Sequence, residues 1–139
     1  MVKLYTRAQN SAGERVRIAL HLKRIEFEYV PVVSANTEEY RLHNPQGLIP
    51  TLEVDGVNLH QSLTIIEYID ELIPDPPLLP SDLLLKAKSR AFALAISAEA
   101  HALTVRRVRK YLTNQAGLPN CNVLGTGRTI ALAPLRACL

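Results

Sequence analysis

Two segments of this chain place polar side chains where helices begin, the position at which a backbone is best able to hold an anion. Gln61-Ser62 stands directly before Leu63, Ile66, Ile69 and Ile73, joined by Ile65 and Leu72, an apolar series at helical spacing with Thr64, Glu67, Asp70 and Glu71 opposite it. Ser62 is therefore expected to be the N-cap of that helix. A helix start offers unpaired N–H groups and partial positive charge, so a carboxylate-bearing ligand can dock there, touching Gln61 and Ser62. A plain cap without a ligand explains Ser62 equally, because capping serines are common. The second segment, Ser11-Ala-Gly-Glu14, has the S-x-x-E spacing of a capping box, in which the hydroxyl and the Glu14 carboxylate satisfy orphan amides of the helix that follows. A hydroxyl can accept from an amide and still donate its own proton to a ligand atom, so capping and ligand binding are compatible at Ser11.

The elements that must position these residues follow from local pattern. Val2-Lys-Leu-Tyr5 reads as a short strand, Arg15 to Lys23 as a helix burying Val16, Ala19 and Leu20, and Glu26 to Val33 as a second strand. Asp55-Gly56, between Thr51-Leu-Glu-Val54 and Val57-Asn-Leu-His60, is a two-residue turn signal, since both central positions need positive φ. Pro50 follows the extended segment Gln46-Gly-Leu-Ile49 and lacks a ladder donor, so it belongs at a strand start or edge. The order is β-α-β, then a hairpin, then a helix. Pro74-Asp-Pro-Pro-Leu-Leu-Pro80 reads as a linker. From Ser81-Asp82 an alanine-rich helical run, capped by Asp82, extends to about Leu112, with Leu84, Ala87, Ala91, Leu94, Ala95 and Ala98 on one stripe. The expected organisation is a domain over 1–74, a linker over 75–82, a partial helical domain over 83–112 and an unrelated or disordered tail over 113–139.

Leu4-Tyr5, Asn10-Ser11, Arg15-Val-Arg-Ile-Ala-Leu20, Asn44-Pro-Gln-Gly-Leu-Ile-Pro50 and His60-Gln-Ser-Leu-Thr-Ile-Ile-Glu-Tyr68 together resemble the glutathione S-transferase superfamily, and within it the zeta class, the maleylacetoacetate isomerases. The resemblance implies an α/β thioredoxin-like N-terminal domain, a mixed four-stranded sheet with helices, followed by an all-α transferase domain that this chain only begins. It implies a cis Ile49-Pro50 bond, although only about one X-Pro bond in twenty is cis, and a backbone at Ile49 able to pair with the peptide groups of glutathione. It implies that Ser11 hydrogen-bonds the glutathione sulfur as thiolate, with Asn10 beside it, and that Arg15, Ile49, Pro50, Gln61 and Ser62 bind the tripeptide. A thiol near pKa 8.5 is only a few per cent ionised at neutral pH, and a helix N-terminus lowers that value. His101 falls where a polar residue of the electrophile site is expected.

The implied activity is glutathione-dependent cis–trans isomerisation of maleylacetoacetate to fumarylacetoacetate in phenylalanine and tyrosine catabolism, by a cytoplasmic enzyme that is a homodimer in its full-length form. Where the family pattern reads Ser-Ser-Cys or Ser-Ser-Ala, this chain has Asn10-Ser11-Ala12. The loop Val33 to Tyr40 is also shorter than the family's. The alternative is a non-catalytic glutathione-binding or protein-interaction module.

Charge divides the chain at the same place as the pattern. The net charge is +3, but the last acidic residue is Glu99, so residues 1–99 carry −3 and residues 100–139 carry +6. Arg106-Arg-Val-Arg-Lys110 invites a nucleic-acid reading; with almost no aromatic interleaving, a solvated face near a helix C-terminus, complementing its dipole, is expected instead. Gly125-Thr-Gly127 lacks the strand, third glycine and helix of a nucleotide loop. Cys121 and Cys138 form no metal or disulfide framework. No apolar run reaches membrane-spanning length and no signal peptide precedes the first strand, so a reducing, cytosolic compartment is expected without metal, membrane or nucleic acid.

Overall fold

A computed structural model of the chain describes residues 1–115, in two compact units, the first Met1–Leu78 and the second beginning at Leu79. In the first, β1 (Val2–Thr6), α1 (Ser11–Leu22), β2 (Glu28–Pro31), α2 (Glu38–His43), β3 (Thr51–Val54), β4 (Val57–His60) and α3 (Ser62–Leu72) follow one another. The strands form one mixed sheet in the order β2-β1-β3-β4. Strand β1 pairs parallel to β2, with Thr6 opposite Pro31, and antiparallel to β3, with Tyr5 opposite Thr51. The hairpin pairs Thr51 with His60 and turns through Asp55 (φ 49°) and Gly56 (φ 84°), the positive-φ pair that a two-residue turn requires.

This register decides where the connections emerge. The C-terminal ends of β1, β2 and β4 and the N-terminal end of β3 all lie along one edge of the sheet. The segments Arg7–Asn10, Val32–Thr37, Leu48–Pro50 and the single residue Gln61 therefore leave the sheet on the same side. Alternation along the strands then sorts side chains by face. Leu4 and Leu52 join Val16 and Leu20 of α1 and Ile65 and Ile69 of α3 in the main core, each at most 1% exposed. Tyr5 points the other way, to a smaller cluster with Val32 and Tyr40 of α2.

Lys23, just past α1, supplies a long-range fastening. Its buried Nζ lies 2.6 Å from Asp70 Oδ1 of α3 and donates to the carbonyl oxygens of Ile73 and Pro76. Asp70 Oδ1 also accepts from the Leu78 N–H at 2.9 Å. The end of α1, the end of α3 and the segment leaving the unit thus meet on one ammonium group. The Ile49-Pro50 bond is cis, as expected, and so is Asp75-Pro76.

Four local expectations are corrected. Helix α1 begins four residues earlier than its apolar period, and its cap is Asn10, whose Oδ1 accepts from the Gly13 N–H; Ser11 is the first helical residue, and Glu14 pairs with Arg17 instead of closing a capping box. Asparagine caps as well as serine, and with the cap moved back one residue Glu14 is one position too far along to reach it. Ser62 is likewise the first helical residue of α3, not its cap: one residue must reverse the chain after His60, and Gln61 does so at φ 67°. Helix α2 was not anticipated at all; six residues hold too little periodicity to show.

The fourth correction concerns the second unit. The anticipated single helical run to Leu112 is instead α4 (Leu83–Leu94), a π-helical stretch (Ala95–Ala100), α5 (His101–Thr104) and α6 (Arg106–Asn114). Asp82 caps α4 through the Leu85 N–H, as expected. Val105 is extended at φ −65°, ψ 147°, so the helix stops and restarts at this β-branched residue. Arg107 and Arg109 consequently stand in the first turn of a helix, where they oppose its dipole rather than complement it. The expected tail, with Cys121, Cys138 and Gly125–Gly127, lies outside the described residues apart from 113–115.

Candidate functional site

Helices α1 and α3 both start at the sheet edge from which the loops emerge, and a side-chain bond joins their first turns. Arg15 is one turn after Ser11 on the same face of α1, and its Nη1 donates to Ser62 Oγ at 3.3 Å. Ser62 is 8% exposed and Arg15 half-buried. Burial lowers the Arg15 pKa from its ordinary value, yet a guanidinium stays charged in a protein. One half-buried cation, one buried hydroxyl and the orphan N–H groups of α3 therefore converge, a combination suited to a carboxylate.

The start of α1 forms the neighbouring part. Asn10 holds the first turn through Gly13, and Ser11 is exposed at the positive end of the helix dipole. Gly13 is needed there: a Cβ would lie 2.0 Å from Thr6 Oγ1, so the first turn sits directly on β1.

Between the two helix starts the chain enters β3 through Leu48-Ile49-Pro50. The Leu48 carbonyl is held from two sides, by Tyr40 Oη at 2.7 Å and Asn44 Nδ2 at 2.7 Å. Asn44 is 1% exposed and also accepts from the Gln46 N–H at 3.0 Å. Ile49 packs against the Tyr5, Val32 and Tyr40 cluster, and Pro50 is buried. Gln61, opposite this loop, donates from Nε2 to Gln46 Oε1 at 3.1 Å.

The fold thus gathers Asn10, Ser11, Arg15, Ile49, Pro50, Gln61 and Ser62 on one edge of the first unit. His101 opens α5 in the second unit. Sequence reasoning passed over the contributions of Asn44, Gln46 and Tyr40; the one available signal was an Asn-Pro-x-Gly turn immediately before a strand-initial proline.

A separate polar cluster occupies the α2 face. Tyr5 donates to Glu53 Oε2 at 2.7 Å, stacks on His43 at 4.3 Å between ring centroids, and Lys3 Nζ lies 3.6 Å from Glu53 Oε1. Burial, then the hydrogen bond and charge of Glu53, push the Tyr5 phenol up to about 12, while the Tyr5 hydroxyl holds Glu53 below its usual carboxylate value. A depression of about 240 Å³, lined by Tyr5, Val32, Tyr40 and His43 among others, opens beside it and does not reach Ser11 or Ser62. Among the described residues no group of three or more His, Cys, Asp or Glu side chains is placed to hold a metal ion, and no helix is long and apolar enough to cross a membrane.

Comparison with known proteins adds an independent line. Residues 4–77 match the family model of the glutathione S-transferase N-terminal domain. The chain is 35% identical over 120 residues to maleylpyruvate isomerase of a Ralstonia species, covering 84% of this chain and 57% of that protein. It superposes with a TM-score of 0.90 at 35% identity on maleylacetoacetate isomerase of Methylobacterium extorquens AM1 with bound malonate and GSH, covering 97% of this chain and 65% of the other. A zeta-class bacterial maleylpyruvate isomerase in its holo form gives 0.88 at 32% identity, with 92% and 62% covered. The chain therefore spans somewhat under two thirds of the length of these relatives.

Proposed function

The chain belongs to the glutathione S-transferase family, and from that premise we propose that it binds glutathione and catalyses the cis–trans isomerisation of maleylacetoacetate to fumarylacetoacetate, a step of phenylalanine and tyrosine catabolism. The observation that carries this reading is the meeting of two helix N-termini at one sheet edge, joined by the Arg15–Ser62 hydrogen bond. The residues fit the tripeptide's chemistry. Glutathione carries a carboxylate at each end, an ammonium, two peptide groups and a thiol. The start of α3 with Ser62 and Arg15 suits one carboxylate. The backbone of Ile49, between the pinned Leu48 carbonyl and cis Pro50, suits peptide groups, and Gln61 offers an amide for the polar end.

Bound glutathione would supply a thiolate that adds reversibly to the activated double bond and lets the carbon–carbon bond rotate before it leaves. Making thiolate at neutral pH is the task of α1. Its dipole and the Ser11 hydroxyl favour the ionised sulfur over the thiol. Asn10 keeps the first turn closed so that Ser11 stays at the helix end. His101 would contact the electrophile. In this reading the enzyme is cytoplasmic and homodimeric, the state the resemblance implies for the full-length family.

Glutathione-dependent turnover of maleylacetoacetate by the purified chain tests the proposal. A hydrogen bond to a charged group contributes about 1.5–3 kcal/mol, so Ser11→Ala should cost roughly tenfold to a hundredfold in kcat/KM. The same substitution should move the rising limb of the pH profile to higher pH. Absence of turnover with a glutathione-induced rise in Tm would leave a binding module. Absence of both would overturn glutathione as the ligand.

A further inference from the structure

We propose that Gln46 is a positioning residue for the ligand, acting through Gln61. This rests on the glutathione reading above. An exposed amide–amide hydrogen bond between mobile side chains ordinarily does little, because holding both rotamers offsets the gain. Here both side chains spring from backbone that is already pinned. The Gln46 N–H is held by Asn44 Oδ1 at 3.0 Å, and Asn44 is itself buried and bonded to the Leu48 carbonyl at 2.7 Å. The Gly47 N–H closes onto the Asn44 carbonyl at 2.9 Å, and Gly47 sits at φ 61°, with the Ala35 carbonyl oxygen 2.9 Å from where a Cβ would stand. The turn that carries Gln46 is thus fixed by buried groups and by the lack of a side chain at its tightest point.

Gln61 is fixed from the other direction. It takes φ 67°, ψ 115°, a conformation rarely held by a non-glycine residue unless its surroundings impose it, and its carbonyl accepts the first helical hydrogen bond of α3, from the Ile65 N–H at 3.0 Å. The 3.1 Å bond from Gln61 Nε2 to Gln46 Oε1 then links the loop entering β3 to the start of α3. It also restrains the rotation of the Gln61 amide that a ligand would meet. With one Nε2 hydrogen taken by Gln46, the amide is held so that Oε1 faces the ammonium group that glutathione brings, while the second Nε2 hydrogen remains for a carboxylate oxygen. Without Gln46 the Gln61 amide can rotate and turn its N–H groups toward the ammonium, which they cannot bind.

A double-mutant cycle on the 139-residue chain, read by glutathione titration calorimetry, tests this. Gln46→Leu keeps the side chain's bulk and removes the acceptor; from the ordinary range for one hydrogen bond it should weaken glutathione binding between about twofold and tenfold. Gln61→Leu should weaken it at least as much, and the double variant no further than Gln61→Leu alone. The ligand-free Tm of Gln46→Leu should equal that of wild type, and the Gln61 side-chain amide should exchange faster with solvent. Unchanged affinity in Gln46→Leu, or additive losses in the double variant, would overturn the positioning role while leaving the glutathione reading intact. Lack of glutathione binding by the wild-type chain would overturn both.

Discussion

Replacing Lys23 by methionine should unfold the first unit at a much lower temperature, although the residue lies at the end of the fold remote from the site. The substitution keeps most of the aliphatic stem and deletes the ammonium that meets Asp70 Oδ1 at 2.6 Å and the carbonyls of Ile73 and Pro76. The Asp70 side chain is only 17% exposed, so it becomes a carboxylate that water reaches poorly. Breaking one partner out of a buried pair costs about 3–5 kcal/mol, and the two abandoned carbonyls are best counted within that range, because the three contacts share one donor and are not additive. A unit of this size has a total stability of only about 4–12 kcal/mol. Each kcal/mol lowers Tm by about 4–8 °C in so small a domain, so a fall of at least about 12 °C is expected.

Far-UV circular dichroism against temperature reads the shift, and hydrogen exchange at Leu20 and Ile69, both in the core, assigns it to this unit. The decisive comparison is Lys23→Met with Asp70→Leu. If the cost comes from the carboxylate that has lost its ammonium, removing both charges restores part of the lost Tm. A single-variant shift below about 4 °C, or a double variant less stable than Lys23→Met, would refute the reasoning.

Three further outcomes follow from the same structure. Gly13→Ala should destabilise by about 1–3 kcal/mol, because its Cβ would lie 2.0 Å from Thr6 Oγ1, and adding Thr6→Ala should recover part of the loss in urea unfolding. Ser62→Ala removes the acceptor of Arg15 and one ligand contact, so glutathione affinity by calorimetry should fall roughly tenfold, and an unchanged affinity would count against Ser62 in the site. Tyr5 ionises near 10 when unfolded but near 12 when folded, so the folded state keeps its proton through that window; stability should hold up to pH 10 and fall as pH rises from 10 to 12, a slope that Tyr5→Phe should flatten in alkaline unfolding curves.

What the residues disclosed and what they concealed divides along physical lines. The hairpin was legible because Asp55-Gly56 is the cheapest way to supply two positive φ values in succession. Helices α1 and α3 were legible because their apolar residues recur at the helical period, from Val16 in α1 and from Leu63 in α3. Cap positions were not, because Asn10 and Ser11 are both competent caps and only the packing of Gly13 against Thr6 chooses between them. Nor was the conformation of Gln61, since glutamine carries no preference for positive φ and takes it here under the constraint of the strand before it and the helix after it. Lys23 and Asp70, 47 positions apart, show no pattern that links them before the chain folds. In the site, the identities of Arg15 and Ser62 were visible, but their hydrogen bond is a product of helix packing. The contribution of Gln46 passes through buried Asn44 and leaves no mark in any period.

The hairpin has a consequence at a distance from itself. Strand β3 begins, and β4 ends, at the edge that carries Ser11 and Ser62, whereas Asp55-Gly56 lies at the opposite edge, four residues or about 13 Å away. The two-residue turn nevertheless determines that His60 stands opposite Thr51, and so which residue comes next after the sheet. One residue added to that turn would slide β4 past β3 and send every side chain on it to the other face. Gln61 would no longer lie across from Gln46, and α3 would start out of line with Arg15. The composition of the edge that carries Ser11, Gln61 and Ser62 is thus governed partly by a solvent-exposed turn remote from it, and insertions there should act as remote mutations of the proposed site.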